Sequence, residues 1–295
     1  MKHSQSIIIT GATSQIGFFL LPKLAQEKYK TYAISRNPEK RASLYGSDII
    51  WIKADKNNDI EWEKVNNLNY LIYIAPLWTL PRLLPSIAKA GISRVIAFSS
   101  TSLYGKADSS NLQEAKTVTH LMEAEQNIKT FCQDNNIAWT IFQPTLIYGA
   151  GMDKNITTIA NLIKRFHFFP LIGKGIGLRQ PVHAKDLAEA CMLALNNRLT
   201  FNKTYILAGG EVLNYHQMVE RIFCVLEIKP RFINIPLLLY KIALRAMSKL
   251  PKYKHLTPQM ADRMNMDLNY DTSEAIRDFE YHPSKFTPSF KNLKT

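Results

Sequence analysis

The sequence predicts an α/β fold: a doubly wound parallel sheet followed by a smaller, mostly helical C-terminal region. Short apolar runs rich in β-branched residues alternate with helical patterns up to about residue 143. Such alternation is typical of a parallel sheet with helices on both faces. The first apolar run ends in a glycine turn that opens a helix, and after residue 144 the alternation stops.

The N-terminal unit is predicted to be a strand, a glycine turn and a helix. Residues 7–9 are three isoleucines, which indicate a strand buried on both faces. The spacing of Gly11 and Gly17 is that of a dinucleotide fingerprint, with Ser14 in place of the middle glycine. A helix that starts there, at residues 15–28, turns free N–H groups toward a phosphate. We expect the following cofactor contacts in this turn: Gly11, Thr13, Ser14, Gln15, Ile16 and Gly17.

The second strand is predicted over residues 30–35, and Arg36 follows it. An acidic residue about 20 residues past the glycines binds the ribose hydroxyls of NAD, whereas a cation accommodates the additional phosphate of NADP. Arg36 therefore predicts NADP as the cofactor, with NAD as the alternative. A solvated loop charge is the other interpretation of Arg36.

Further strands are predicted at residues 48–54, 69–75, 94–98 and 137–142, with helices at residues 81–90 and 113–134. Ligands of open α/β sheets lie outside the carboxyl ends of the strands. The residues at these ends that we expect to contact the cofactor are Asp55, Ala75, Pro76 and Ser99. After residue 144, helices are predicted at residues 156–166, 185–195, 214–226 and 236–250.

Composition and charge limit the classes of partner. The chain has 295 residues, a net charge of +13 and a sequence pI near 9.5. Such a basic chain suits nucleic acid, an anionic membrane surface, or anionic substrates and cofactors. Lysines and arginines are scattered and no aromatic ladder accompanies them, so we expect no nucleic-acid partner.

Cysteine usage and the N-terminal residues predict a cytoplasmic protein. The three cysteines, Cys132, Cys191 and Cys224, are far apart, which suits reduced thiols and gives no metal-ligand spacing. The residues before the first strand lack the apolar stretch of a signal peptide, and no apolar run reaches the roughly 18 residues that span a bilayer. The sequence makes no prediction of the oligomeric state.

Four stretches together carry a resemblance to a known family. They are Thr-Gly-Ala-Thr-Ser-Gln-Ile-Gly at 10–17, Phe-Ser-Ser-Thr-Ser-Leu-Tyr-Gly at 98–105, Gln-Pro-Thr-Leu-Ile-Tyr-Gly at 143–149 and Gln-Pro-Val-His-Ala-Lys-Asp-Leu-Ala at 180–188. In this order they resemble the extended short-chain dehydrogenase/reductase family of nucleotide-sugar epimerases and dehydratases. The resemblance implies an NAD(P)-binding Rossmann domain at 1–150, to which 178–200 returns. It also implies a smaller region at 151–295 that closes over an anionic small-molecule substrate.

The resemblance also implies roles for individual residues. Ser100 stands at the catalytic serine or threonine position, with a hydroxyl that caps a turn as the alternative. Tyr104 is either a packing residue of its loop or a substitute acid. Pro144 and Thr145 are expected beside the nicotinamide. Tyr148 and Arg179 are expected to bind substrate. The alternative interpretation of Arg179 is a solvated arginine.

The usual Tyr-x-x-x-Lys pair of the family is missing from the helix at 113–134. If Glu125 marks the usual glutamate, Thr117 stands at the tyrosine place and Leu121 at the lysine place. Gln143 stands where an arginine is frequent. The chain is therefore similar to the atypical branch of the family. Two functions stay open: an NAD(P)-dependent oxidoreductase or epimerase, and a non-catalytic NADP-binding scaffold or redox sensor.

Residues 235–250 form a predicted basic amphipathic helix. Lys241, Arg245 and Lys249 recur every four residues among apolar ones. Such a helix can lie on an anionic membrane, which would place the protein at the inner face of the membrane. The alternative is a helix that packs between domains with a charged outer edge. His120, on the helix at 113–134, is interpreted as a surface or core histidine.

Overall fold

The structure is a computed structural model that describes residues 5–38, 49–54, 65, 68–107, 109, 111–240 and 263–290. The strands of the main sheet are β1 Ser6–Thr10, β2 Lys30–Ser35, β3 Ile49–Lys53, β4 Leu68–Tyr73, β5 Arg94–Phe98, β6 Ala138–Pro144 and β11 Lys203–Leu207. Short strands are β7 Ile147–Tyr148, β8 Phe169–Ile172, β9 Leu178–Arg179, β10 Val182–His183, β12 Leu213–Asn214 and β13 Phe232–Ile235. The helices are α1 Gln15–Gln26, α2 Leu84–Lys89, α3 Ser102–Gly105, α4 Leu112–Asp134, α5 Ile156–Phe166, α6 Ala184–Leu195, α7 Tyr215–Val225 and α8 Ser273–Phe279.

The main sheet has seven strands in the order β11-β6-β5-β4-β1-β2-β3, and every pairing is parallel. The predicted doubly wound parallel sheet is confirmed. The strand order reverses between β1 and β4. Strands β2 and β3 lie on one side of β1, whereas β4, β5 and β6 lie on the other side. A crevice at such a reversal is where open α/β sheets bind ligands.

Helices cover both faces of the sheet, which explains why most residues of its central strands are apolar. On one face, Leu20 of α1 and Leu187 of α6 pack in a core with strand residues such as Ile9. On the other, Ile87 of α2 and Ile128 of α4 pack in a second core. Strands covered on both faces need apolar side chains in both directions, so their sequence shows continuous apolar runs.

Two boundaries differ from the prediction for residues 81–90. A 3-10 turn at Pro81–Leu83 precedes the helix, which begins at Leu84. Proline lacks an N–H and is favoured in the first turn of a helix, so Pro81 and Pro85 suit two successive starts. Asp55 and the basic residues 241, 245 and 249 lie outside the described residues, so their predicted roles stay predictions.

The C-terminal half contains a small third core and also returns twice to the main sheet. Tyr148, Ile159 and Phe223 are members of the third core. Beyond the predicted return of 178–200, β11 forms an edge of the main sheet and Phe279 of α8 packs in its first core. The chain after residue 150 therefore contributes both to the third core and to the main sheet, and the predicted domain boundary stays a prediction. Within the described residues, no helix is long and apolar enough to cross a bilayer.

Candidate functional site

The glycine turn lies at the carboxyl end of β1 and contacts the end of β4. Gly11 has a φ of +65°, and a Cβ there would stand 3.0 Å from the backbone nitrogen of Ala75. At Gly17 a Cβ would stand 2.2 Å from the carbonyl oxygen of Ala12. Both glycines are required by geometry: one by a left-handed backbone conformation, the other by close approach of the helix to the turn.

Ser14 fits the place of the middle glycine because its backbone does not need glycine there. Its φ of −72° and ψ of 171° are ordinary extended values. Its Oγ accepts a hydrogen bond from the N–H of Gly17 at 3.2 Å and so caps α1. The first N–H groups of a helix lack partners within the helix, and those of Gln15 and Ile16 follow the cap directly. The serine therefore preserves an anion-binding helix start.

The end of β2 lies against the glycine turn. The hydroxyl oxygens of Thr13 and Ser35 are 3.4 Å apart, and Ser35 Oγ accepts from the N–H of Asn37 at 3.1 Å. Arg36 follows at once and is exposed. The structure thus brings Arg36 to the edge of the sheet that carries the glycine turn.

The ends of β5 and β6 meet at the same edge of the sheet. The N–H of Ser99 donates to the carbonyl of Phe142 at 2.7 Å, and the N–H of Thr101 donates to that of Pro144 at 3.1 Å. Ser99 Oγ and Gln15 Oε1 are buried and have no hydrogen-bond partner in the described part of the chain. Buried polar atoms are almost always paired. Together with the glycine turn, these two unpaired polar atoms indicate that the residues at this edge fit a dinucleotide.

Ser100 forms the local contacts of a turn. Its Oγ accepts from the N–H of Ser102 at 3.1 Å and donates to Ser102 Oγ at 2.9 Å. The turn-capping interpretation describes its present contacts. Because the hydroxyl stays at the carboxyl end of β5, the catalytic role stays a prediction.

Tyr104 ends a chain of side-chain hydrogen bonds that the sequence did not predict. Its hydroxyl donates to Gln143 Oε1 at 2.8 Å, and Gln143 Nε2 donates to Glu125 Oε1 at 2.8 Å. Lys129 Nζ lies 3.2 Å from Glu125 Oε2. Gln143 thus links the tyrosine loop to an ion pair whose carboxylate is buried and whose ammonium group is half-buried. We call these four residues the Tyr104 network.

Tyr270 is a further aromatic residue at this loop, also missed from the sequence. Its ring centroid lies 6.0 Å from that of Tyr104, and its hydroxyl lies 3.5 Å from the carbonyl of Thr101. Its N–H donates to Gln180 Oε1 at 3.0 Å. Burial raises the pKa of Tyr270. No motif marks it, and it lies 166 positions after Tyr104 in the chain.

The positions considered for the missing pair carry no acid–base chemistry in this structure. Leu121 is 4% exposed and packs in the second core. Thr117 donates its hydroxyl to the carbonyl of Gln113 at 2.8 Å within α4. His120 is exposed, and its ring centroid lies 6.4 Å from that of Trp78. This environment agrees with a surface histidine.

Thr145 and Tyr148 have structural contacts that the sequence did not predict. Thr145 Oγ1 donates to the carbonyl of Gln180 at 2.5 Å. Tyr148 is 2% exposed, its ring packs edge-on against His183 and Phe286, and its hydroxyl accepts from the N–H of Thr287 at 3.1 Å. Burial raises the pKa of Tyr148 to about 12. A substrate contact of Tyr148 stays a prediction, and its environment is that of a core residue.

Arg179 is a buried tie between β9 and the C-terminal segment. It is 7% exposed, and its guanidinium donates to the carbonyls of Leu178 at 2.6 Å and Met266 at 2.8 Å, and also to that of Arg263. Burial lowers the pKa of Arg179. These carbonyls use guanidinium N–H groups of Arg179 that a substrate phosphate would need. The observed packing therefore does not favour the phosphate contact, which stays a prediction.

The residues 263–270, which we call the strap, cross from the glycine-rich loop at 173–177 to the Tyr104 loop. Gly175 donates its N–H to Asn265 Oδ1 at 3.1 Å, and Leu178 donates to Asp267 Oδ1 at 2.9 Å. At the other side, Arg263 pairs with Glu114 of α4 at 2.7 Å. The strap therefore joins the C-terminal region to the Rossmann domain beside the site.

Two polar residues of the 180–188 stretch have structural contacts. His183 Nδ1 accepts from the N–H of Lys185 at 3.0 Å and caps α6. Asp186 accepts from the N–H and hydroxyl of Ser284, both at 2.9 Å. Among the described residues, no group of histidine, cysteine, aspartate or glutamate side chains could hold a metal ion.

The fold is that of the doubly wound α/β class, and the residues at this edge fit a dinucleotide. Residues 69–208 match the sequence model of the NAD dependent epimerase/dehydratase family. This part of the chain is therefore similar to the NAD-dependent epimerase/dehydratase family.

Curated relatives match over very different lengths. UDP-glucose 4-epimerase of Vibrio cholerae is 20% identical over 96% of this chain and 92% of that protein. The mitochondrial NADH dehydrogenase [ubiquinone] 1 alpha subcomplex subunit 9 of Arabidopsis thaliana is 32% identical over 98 residues. That match covers 33% of this chain and only 24% of the plant protein.

Solved structures share the fold at low sequence identity. UDP-glucuronic acid 4-epimerase from Bacillus cereus, in complex with UDP-glucuronic acid and NAD, has a TM-score of 0.75 at 14% identity, covering 96% of this chain and 95% of that one. dTDP-glucose 4,6-dehydratase from Bacillus anthracis, in complex with NAD, has a TM-score of 0.68 at 14% identity, covering 96% and 92%. At these identities the likeness establishes the fold.

Proposed function

We propose that the chain binds NADP, or NAD, and acts as an oxidoreductase or epimerase/dehydratase on a nucleotide sugar or a related anionic substrate. The observation that supports this most is the convergence of three segments at one edge of the sheet: the glycine turn, the loop from Ser99 to Tyr104, and the end of β6. Relatives named for UDP-sugar epimerisation and dTDP-glucose dehydration support the substrate class. The net charge of +13 suits an anionic substrate.

The cofactor contacts divide into three groups along this edge. The turn from Gly11 to Gly17 would hold the pyrophosphate, and Arg36 the 2′-phosphate of NADP. The residues proposed for the adenosine side and the nicotinamide side are Asp55, Ala75, Pro76, Ser99, Pro144 and Thr145. A bound nicotinamide exchanges hydride with a substrate. Ser100 and Tyr104 present hydroxyls for the reacting part of the substrate, and Tyr148 and Arg179 stay proposed substrate contacts.

Leu121 favours a second candidate, a protein that holds NADP without turning substrate over. Its buried apolar side chain occupies the position considered for the usual lysine, and that lysine assists the acid–base step in the family. A third of the chain is similar to a protein named as an NADH dehydrogenase subunit, and this likeness supports the same candidate.

Hydride exchange separates the two candidates. The protein is loaded with NADP⁺ or NAD⁺ and mixed with a panel of UDP- and dTDP-sugars while reduced nicotinamide is followed by fluorescence and sugar products by chromatography. We expect turnover, or a transient of reduced cofactor, that falls at least tenfold in the Ser100→Ala variant. Thr119→Ala, on the outer face of α4, is the matched control. Tight cofactor binding without exchange on any sugar would replace the first candidate by the second.

A further inference from the structure

Glu125 fixes the direction of the hydrogen bonds in the Tyr104 network. An ionised carboxylate only accepts hydrogen bonds. Glu125 is 6% exposed, and its two oxygens are shared between Lys129 and Gln143. The side-chain amide of Gln143 must therefore turn its nitrogen toward Glu125 and its oxygen toward Tyr104. The orientation of the Gln143 amide is thus assigned from its hydrogen-bond partners, as amide orientations should be.

The orientation of Gln143 determines what Tyr104 offers to a ligand. The amide oxygen of Gln143 carries no proton, so the 2.8 Å contact is a hydrogen bond that Tyr104 donates. A phenol has one proton and can otherwise only accept. Tyr104 is 53% exposed and stands in the turn of helix after β5, at the edge where such sheets bind ligands. Any further partner of its hydroxyl must donate to it.

We propose that Tyr104 recognises its substrate by accepting a hydrogen bond from a hydroxyl group, and that Gln143 and Glu125 are the positioning residues that set this polarity. To donate a proton to the substrate, Tyr104 would have to release Gln143 and leave a buried amide oxygen unpaired, which is costly. The choice of a sugar hydroxyl as the donor rests on the proposed function. The polarity rests on the network alone.

The Glu125→Gln variant is an isosteric test of this polarity. The ammonium group of Lys129 cannot accept a hydrogen bond, so the new amide at position 125 turns its oxygen toward Lys129 and its nitrogen toward Gln143. Gln143 then turns its own oxygen toward position 125 and its nitrogen toward Tyr104. Tyr104 becomes the acceptor of that bond, and its proton becomes free for a ligand.

Ligand binding measures the consequence. Calorimetry compares UDP-glucose with analogues in which each sugar hydroxyl in turn is replaced by fluorine, which cannot donate. The wild type should bind one analogue about tenfold more weakly, as expected for one lost hydrogen bond. Tyr104→Phe should lose this preference, and Glu125→Gln should reduce or reverse it. Equal discrimination by wild type and Tyr104→Phe, or an unchanged preference in a folded Glu125→Gln variant, would overturn the proposal.

An infrared measurement tests the polarity without any ligand. The C–O stretching frequency of a tyrosine differs between a phenol that donates and one that accepts, and the difference spectrum between wild type and Tyr104→Phe isolates Tyr104. Tyr29→Phe is the matched control, because Tyr29 accepts from Asn196 Nδ2 at 3.0 Å at the other end of the sheet. We expect a donor band in the wild type and an acceptor band in Glu125→Gln. An acceptor band in the wild type refutes the proposal, whereas failure of every sugar to bind refutes only the proposed function.

Discussion

Ser14 and Arg36 follow β1 and β2 at the edge of the sheet where we propose that the cofactor binds. Ser14 replaces a glycine without strain because its backbone is extended, and its hydroxyl adds a helix cap. Arg36 follows Ser35, which contacts Thr13 of the glycine turn. A planar guanidinium here suits the doubly charged phosphate that distinguishes NADP from NAD.

Arg36 gives the first prediction at this scale. The Arg36→Ala variant should bind NADPH about tenfold more weakly, because one charge-assisted contact to the 2′-phosphate is lost. Its affinity for NADH should stay within twofold of the wild type. Fluorescence titration of both cofactors measures the ratio, with Arg165→Ala, in the last turn of α5, as the control. Equal losses for the two cofactors would show that Arg36 does not contact this phosphate.

The residues of the site could be predicted only where they are close in sequence. The glycine turn and the strand ends follow from spacing and pattern, and the structure places these parts at one edge. The Tyr104 network joins residues 39 and 18 positions apart. Tyr270 reaches the site from the far end of the chain. Such pairings depend on tertiary packing, for which a single sequence contains no periodic signal.

The glycine-rich loop at 173–177 has a structural role that could not be predicted from the sequence. Its spacing is not that of a phosphate loop, and two of its glycines, Gly173 and Gly177, lie against the strap. A Cβ at Gly177 would stand 2.4 Å from the carbonyl oxygen of Met266, and one at Gly173 would stand 2.9 Å from the side chain of Asn265. The strap lies close against the loop because Gly173 and Gly177 carry no side chain where the strap passes.

The Gly177→Ala variant tests the loop and strap as one unit. The added methyl group should displace the strap and destabilise the fold by about 1–3 kcal/mol, the usual cost of overpacking. Hydrogen exchange should become faster at residues 264–268, and the unfolding temperature should fall. Ile176→Ala is the control, since Ile176 is an exposed neighbour. Unchanged exchange at the strap in the Gly177→Ala variant would contradict the close packing.

At the scale of the whole molecule, Asp278 joins the C-terminal end of the chain to the edge of the main sheet. Its carboxylate accepts from Lys203 Nζ and Tyr205 Oη, each at 2.7 Å, and from Arg277 Nε at 2.9 Å. The hydrogen bonds from Lys203 and Tyr205 hold the pKa of Asp278 well below its usual range. The sequence does not reveal this connection, because α8 and β11 are separated by about 70 residues.

The lowered pKa of Asp278 predicts how stability depends on pH. Its stabilising contribution is fully present above the unfolded-state pKa of about 3.9 and is lost as the pH falls through the lowered folded-state pKa. Asp278→Ala should destabilise the protein by about 1–3 kcal/mol near neutral pH, because Tyr205 loses a buried partner. Denaturant unfolding should show this difference shrinking below about pH 4. A difference that is constant with pH would exclude the carboxylate as its source.

Titration of the protein with NADPH tests the central claim, that the carboxyl edge of the sheet holds a dinucleotide. We predict a saturable rise in NADPH fluorescence that NADP⁺ competes away. The Thr13→Glu variant should weaken binding at least tenfold, because it sets a carboxylate beside Ser35 where phosphate is expected. Thr119→Glu, on the outer face of α4, should bind as the wild type does. No saturable binding, or equal binding by the wild type and Thr13→Glu, would contradict the account.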